Sequence, residues 1–235
     1  MESMIIYDGI PLESVANVKV EDVRVSPIHY NPVVRERAGR MGSNFVRMLG
    51  SERTVTISFA VLDRNPIQRR AALLALSQWA KTDAEHQLEV PGDATRCLFG
   101  VCTSKPEAST RQWFENKLKI VFTCFNNPFW TSKVEKSVAC GTQFNAFGDA
   151  PPLVQIRATL ANAASNVLFS NGVESMAFTE IPAGNMVIDL NNQTAAVGTT
   201  SFMSAYQITG QFLKPRPGVQ TITGTGTVYF RERWE

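Results

Sequence analysis

Residues Arg53–Asn65, RTVTISFAVLDRN, run without a break into PIQRRAALLALSQWAK (66–81), and this junction decides the fold class. In Thr54–Val61 every second residue is apolar: Val55, Ile57, Phe59 and Val61 alternate with Thr54, Thr56 and Ser58. Successive side chains of a strand leave opposite faces, so the stretch predicts an antiparallel strand buried on one face only. The period then changes. Asn65 before Pro66 is a helix start, because the asparagine side chain can cap an orphan N–H and proline has none to lose there. Ile67, Ala71, Leu74 and Gln78 lie along one stripe of that helix, widened by Ala72, Leu76 and Trp79, with Arg69, Arg70 and Lys81 polar. The stripe is expected to pack on a sheet.

Working outward, Asn17–Val25 (NVKVEDVRV) alternates with a one-residue slip at Glu21–Asp22, the pattern of a bulged strand. Further strands are expected at Arg96–Cys102, Asn116–Cys124, Leu153–Leu160, Asn166–Phe169, Met186–Leu190 and Thr227–Arg233. After Asn126-Asn127-Pro128-Phe129-Trp130 the composition shifts from charged to rich in Asn, Thr, Ala and Gly. Turn signals then recur at Asn171-Gly172, Ala183-Gly184-Asn185 and Asn191-Asn192. Short strands with such turns predict a β-sandwich. The expected organisation is mainly β: residues 1–133 form a β-sandwich-like domain with one amphipathic helix and an extended arm, and residues 134–235 form a second sandwich.

Charge and composition exclude several function classes. Among 235 residues, 23 Lys and Arg face 21 Asp and Glu, a net charge of +2, whereas a nucleic-acid domain concentrates basic excess. Arg35, Arg37, Arg40 and Arg47 are the one local cluster, in a loop-like stretch that also carries Tyr30, Val33, Val34, Phe45 and Met48. That mixture suits a solvated arm or a surface laid against a partner. The opening MESMIIYDGIPLES has neither a basic n-region nor a sustained apolar h-region, and apolar runs such as Ala71–Leu76 are far shorter than a membrane span. A soluble protein made in a cytoplasm is expected.

Covalent chemistry finds little support. No two of Cys97, Cys102, Cys124 and Cys140 have the C-x₂-C spacing of a zinc site, and the first three read as small buried hydrophobes. His29 and His86 read as structural, and no nucleophile sits in a Gly-flanked elbow. Glu174, Glu180 and Asp189, the carboxylates that a hydrolase would pair, fall at turns and strand edges. Trp113, Trp130, Trp234, Tyr206 and Tyr229 could stack on sugars but fit packing better. No catalytic residue, cofactor or metal is expected. A carbohydrate-binding module for host-surface adhesion is the alternative, and a cell-wall hydrolase a third reading.

The order of the pieces adds a resemblance. RTVTISFAVLDRN into the helix ending LSQWAK, then HQLEVPGD, RCLFGVCT and KIVFTCFNNPFW, resembles the N-terminal domain of the distal tail proteins (Dit) of long-tailed bacteriophages. GRMGSNF (39–45) resembles that domain's glycine-bearing arm. SNGVESMAFTEIPAGNMVIDLNNQTA (170–195) and FLKPRPGVQTITGTGTVYFRERW (212–234) resemble the family's galectin-like sandwich, although Val219-Gln220 stands where an Asn often follows the Pro-Gly. The resemblance implies a non-enzymatic virion protein at the tail tip, made in the host cytoplasm: a homo-hexameric ring with galectin-like domains outward. Its implied partners are the tail tube protein, the tail-associated hub protein, the tape-measure protein in the lumen and a receptor-binding protein at the periphery. No sequence-specific nucleic acid and no membrane insertion is implied. Tyr30, Val33, Arg35, Arg37, Arg40, Phe45, Arg47 and Met48 would form the interface between copies.

Overall fold

The alternating stretch belongs to a strand far longer than its pattern, Ser43–Val61, 19 residues in all. The structure, a computed structural model, describes residues 4–36, 43–104, 117–201, 206–207 and 210–235. Two compact units divide the chain: Met1–Trp130 with Glu235, and Thr131–Trp234.

In chain order the first unit contains β1 (Ile6–Tyr7), β2 (Ile10–Pro11), helix α1 (Leu12–Val15), β3 (Val18–Val25) and β4 (His29–Glu36). Then come β5 (Ser43–Val61), helix α2 (Pro66–Trp79), β6 (His86–Glu89), β7 (Arg96–Ser104) and β8 (Lys117–Cys124). All pairings are antiparallel, and the strands run in the order β3-β5-β8-β7-β6-β1-β2. From Val55 to Ala60 β5 is flanked on both sides, by β8 and by β3, and the register of β3 shifts between Val20 and Asp22, where the sequence slip predicts a bulge. Val55, Ile57 and Phe59 are fully buried, as the alternation requires, and join Tyr7, Leu98, Ile120 and Phe122 in one core. That core contains an aromatic cluster: the Tyr7 ring lies 4.6 Å from Phe122 and 5.7 Å from Trp79.

Helix α2 starts where expected, with Asn65 Oδ1 accepting from the Ile67 N–H at 2.9 Å and Pro66 in its first turn. Its buried face is not the expected stripe. Ala72, Leu76 and Trp79 enter the core, while Ile67 is 79% and Leu74 61% exposed, with Ala71 and Gln78 exposed beside them. Both sets have i, i+4, i+7 spacing, so periodicity alone does not choose between them. The indole does: it buries more area than an aliphatic chain, lies edge-on to Tyr7 and Phe122, and donates from Nε1 to the Ile10 carbonyl at 3.0 Å. A second helix, the single turn α1, was not anticipated by the pattern.

Strand β9 (Trp130–Ser132) begins at the last residue of the first unit's main segment. The second unit continues with β10 (Lys136–Ala139), β11 (Gln143–Ala146), β12 (Ala150–Leu160), β13 (Ala164–Ser170), β14 (Ser175–Ile181) and β15 (Gly184–Asp189). It ends with β16 (Thr194–Val197), β17 (Thr200–Ser201), β18 (Tyr206–Gln207), β19 (Gly218–Thr221) and β20 (Thr227–Trp234). One sheet runs β17-β16-β15-β12-β20-β10; the others are β13-β14-β18 and β11-β19. Ile156, Ile188 and Phe230 from the first sheet share a core with Phe169 and Phe178 from β13 and β14, which is a sandwich held by its two inner faces. The closing strand β20 therefore belongs to this sandwich. Asn171 Oδ1 accepts from the N–H groups of Val173 and Glu174, with Gly172 at φ 83°, so the Asn-Gly signal is a side-chain-braced turn. Gly226, at φ 106°, passes so close to β12 that a Cβ would collide with the Arg157 carbonyl oxygen.

Two stability outcomes follow from these placements. Leu76→Ala removes a fully buried side chain and is expected to cost about 2–5 kcal/mol in urea unfolding, whereas Leu74→Ser stays within about 0.5 kcal/mol; the reverse order would mean that α2 is turned the other way. Gly226→Ala is expected to lower stability by more than about 1 kcal/mol, since it combines positive φ with a backbone collision.

Candidate functional site

The N-terminal half of β5 has a different environment from its C-terminal half. From Glu36↔Ser43 to His29↔Glu52 it pairs with β4, so the two form a two-stranded ribbon, with register shifts between His29 and Tyr30 and between Val33 and Val34. From Val55 to Ala60 both ladders are taken, by β3 and β8, while Arg53 and Thr54 pair with β8. Six of the eight expected interface residues lie on the ribbon: Tyr30, Val33 and Arg35 on β4, and Phe45, Arg47 and Met48 on β5, with Val33 opposite Arg47 and Pro32 opposite Met48. Arg37 and Arg40 lie outside the described residues. The stretch reads from sequence as a loop, but the chain pairs it as strands; Pro32 is compatible because a ribbon strand has an edge where no N–H is needed.

At the ribbon's root β5 changes partners between Glu52 and Arg53, and a pocket of about 380 Å³ opens there. Val25, Ser26, Pro27 and Ile28 from the β3–β4 connection line it, with Tyr30, Arg53, Trp130 and Glu235. Ser26 and Thr54 clasp the connection to β5: the Ser26 N–H donates to the Thr54 carbonyl at 2.8 Å, and the Thr54 N–H donates to Ser26 Oγ at 2.8 Å. Tyr30 Oη donates to Glu235 Oε1 at 2.7 Å. Arg53 is only 4% exposed, and its Nε and Nη1 have no hydrogen-bond partner. Its guanidinium lies 6.0 Å from the Trp130 ring centre. Burial pushes its pKa down, opposed by Cys124, Tyr30 and Glu235. Sequence reasoning passed over this residue, yet a signal was there: Arg53 shares the parity of Val55, Ile57 and Phe59, the face that enters the core.

The groups that could do covalent work are placed for other purposes. Burial, with Glu85 adding to it and Arg53 opposing it, pushes the Cys124 thiol up to about 12, so near neutral pH it holds its proton and is a poor nucleophile. Cys97 is also buried, while Cys102 and Cys140 are half-buried. His86 opens β6 with Nδ1 3.0 Å from Asp8 Oδ1. Glu174 Oε2 accepts from the Lys214 N–H at 2.7 Å, Asp189 Oδ1 accepts from the N–H groups of Asn191 and Asn192, and Glu180 stands exposed at φ 54°. Asp189 thus braces its own turn, and Glu174 ties its turn to the segment at Lys214. Among the described residues no group of three or more His, Cys, Asp or Glu is arranged to hold a metal ion.

One groove of the second unit has no aromatic residue in its lining. It measures about 300 Å³ and is lined by Gln143, Asn171, Val173, Arg216, Pro217, Val219, Gln220 and Thr221. Of the aromatic candidates, Trp130 packs on the first core and Tyr229 lies beneath the Arg157 guanidinium, 4.1 Å from its ring centre. Trp234 is half-buried, the side chain of Tyr206 is not described, and Trp113 lies outside the described residues.

No family model and no curated protein matches the sequence. Solved structures do match. The SPP1 Dit (gp 19.1) protein, described as a paradigm of the hub adsorption apparatus in Gram-positive infecting phages, aligns over 100% of both chains with a TM-score of 0.72 and 17% identity. A chain of the phage P2 baseplate in its activated conformation with Ca aligns over 99% of this chain and 98% of that one, with a TM-score of 0.56 and 7% identity. The P2 baseplate with Sr gives 0.51 over 93% and 91%, again at 7% identity. From one end to the other, the chain has the β-rich fold of a phage Dit protein.

Proposed function

We propose that this chain is a non-enzymatic structural component of the tail tip of a long-tailed bacteriophage, assembling as a ring of six copies between the tail tube and the tail-associated hub protein. The observation that carries this reading is the end-to-end likeness to the SPP1 Dit protein, which spans both units rather than one widespread sandwich. In this reading residues 1–133 make the ring and the galectin-like residues 134–235 point outward, where a receptor-binding protein attaches. The tape-measure protein occupies the lumen. The protein is made in the host cytoplasm and resides in the virion; among the described residues no helix is long and apolar enough to cross a membrane.

Physical chemistry supports self-assembly independently. A two-stranded ribbon is marginal in water by itself, and a neighbour that covers a face or adds a strand removes that weakness. The β4–β5 ribbon is such an element. A ring needs two different complementary surfaces on each copy, related by a rotation that closes. The ribbon, which continues the β3 edge alongside β5, and the opposite sheet edge at β2 would meet that need. The net charge of +2 suits a conduit through which DNA passes without being gripped.

Light scattering of the purified chain is expected to give about six times the 26.0 kDa chain mass, alone or once tail tube and hub proteins are added. Deleting 35–44 is expected to leave a folded protein, by its far-ultraviolet dichroism, at single-chain mass. An intact oligomer after that deletion would remove the ribbon from the interface. A wild-type chain that stays single with its tail neighbours supplied would end the ring reading.

A further inference from the structure

We propose that the pocket at the ribbon's root binds a carboxylate group through Arg53. The site is built rather than incidental. A guanidinium cannot shed its proton near neutral pH, so burial leaves a permanent charge whose donors need acceptors. In this chain Nε and Nη1 have none, on a side chain 4% exposed that lines an open pocket. Leaving a buried charged donor unsatisfied costs more than a single hydrogen bond returns, so an incoming acceptor recovers an unusually large share of its binding energy.

The walls select the kind of anion. Val25, Pro27, Ile28 and Trp130 make apolar sides around the cation, which fits a small planar anion on a short apolar stem. Nε–H and Nη1–H point to different sides of the guanidinium, so one oxygen of an entering carboxylate meets one of them in a single charge-assisted hydrogen bond. Glu235 also lines the pocket, and its Oε1 is already held by Tyr30 Oη at 2.7 Å. That resident negative charge penalises a dianion about twice as heavily as a monoanion, which disfavours phosphate and sulfate.

A carboxylate here could be a free small molecule or an acidic side chain from a neighbouring copy of the chain; the chemistry is shared and the experiment separates them. The full chain is melted, and its mass measured by light scattering, in sodium acetate and in sodium chloride of equal ionic strength. A free-carboxylate site gives a melting temperature about 2–4 °C higher in acetate than in chloride, with mass unchanged. A site filled by a neighbour's acid gives instead a fall in mass with rising acetate, as acetate competes. Either effect should vanish in Arg53→Met, or in Arg53→Gln should the methionine variant fail to fold. The wild-type-minus-variant shift in disodium sulfate at the same ionic strength should fall short of that in acetate, because the variant carries the general salt effect. The proposal is overturned if acetate moves neither melting nor mass beyond chloride, or if the effect persists in the variant. The melting arm reads the site whether or not the six-copy ring forms.

Discussion

The structure depends on a single strand being asked to satisfy two different hydrogen-bonding environments. From Val55 to Ala60, β5 is an interior strand, flanked by β3 and β8 and buried on one face by Val55, Ile57 and Phe59. From Ser43 to Glu52 its ladder partner is β4. The first half of this arrangement anchors the core of the unit, because α2, the Tyr7 aromatic cluster and β8 all pack on it. The second half carries backbone away from that core. The position where the two regimes meet is Arg53, and its burial follows from topology: it stands in phase with the core-facing residues but at the point where the sheet gives way to the ribbon.

What was legible in the sequence was what local geometry alone determines. The strict alternation of Thr54–Val61, the slip at Glu21–Asp22 and the Asn65-Pro66 start each translate into a backbone feature with no need of distant partners. The face of α2 was not legible, because Ile67/Ala71/Leu74 and Ala72/Leu76/Trp79 are equally good stripes and only the location of Tyr7, Ile10 and Phe122 breaks the tie. The ribbon reads as a loop because its residues, with Arg35, Arg47 and Pro32 among valines and Phe45, show no clean period of two.

The pocket was illegible for a further reason. Its lining is drawn from four separated parts of the sequence, 25–30, 53, 130 and 235, and each is ordinary by itself. An arginine at the head of a strand reads as solvated until Trp130 and the β3–β4 connection are laid over it. The same holds for the groups that might have suggested an enzyme. Glu174 is occupied by the backbone N–H of Lys214, Asp189 by the backbone N–H groups of its own turn, and Cys124 is held as a thiol by its surroundings.

The length of the ribbon has a mechanical consequence. Eight residues of β4 at about 3.4 Å each reach roughly 27 Å from the root. A tilt of about 5° about Arg53 and the Ser26–Thr54 clasp would displace the far end by roughly 2 Å, with the lever taken as that strand length. A change too small to disturb the core is thereby magnified into a displacement comparable with an atomic diameter. Rigidity at this fulcrum, more than contact at the far end, sets how accurately the chain can hand its orientation to whatever lies beside it.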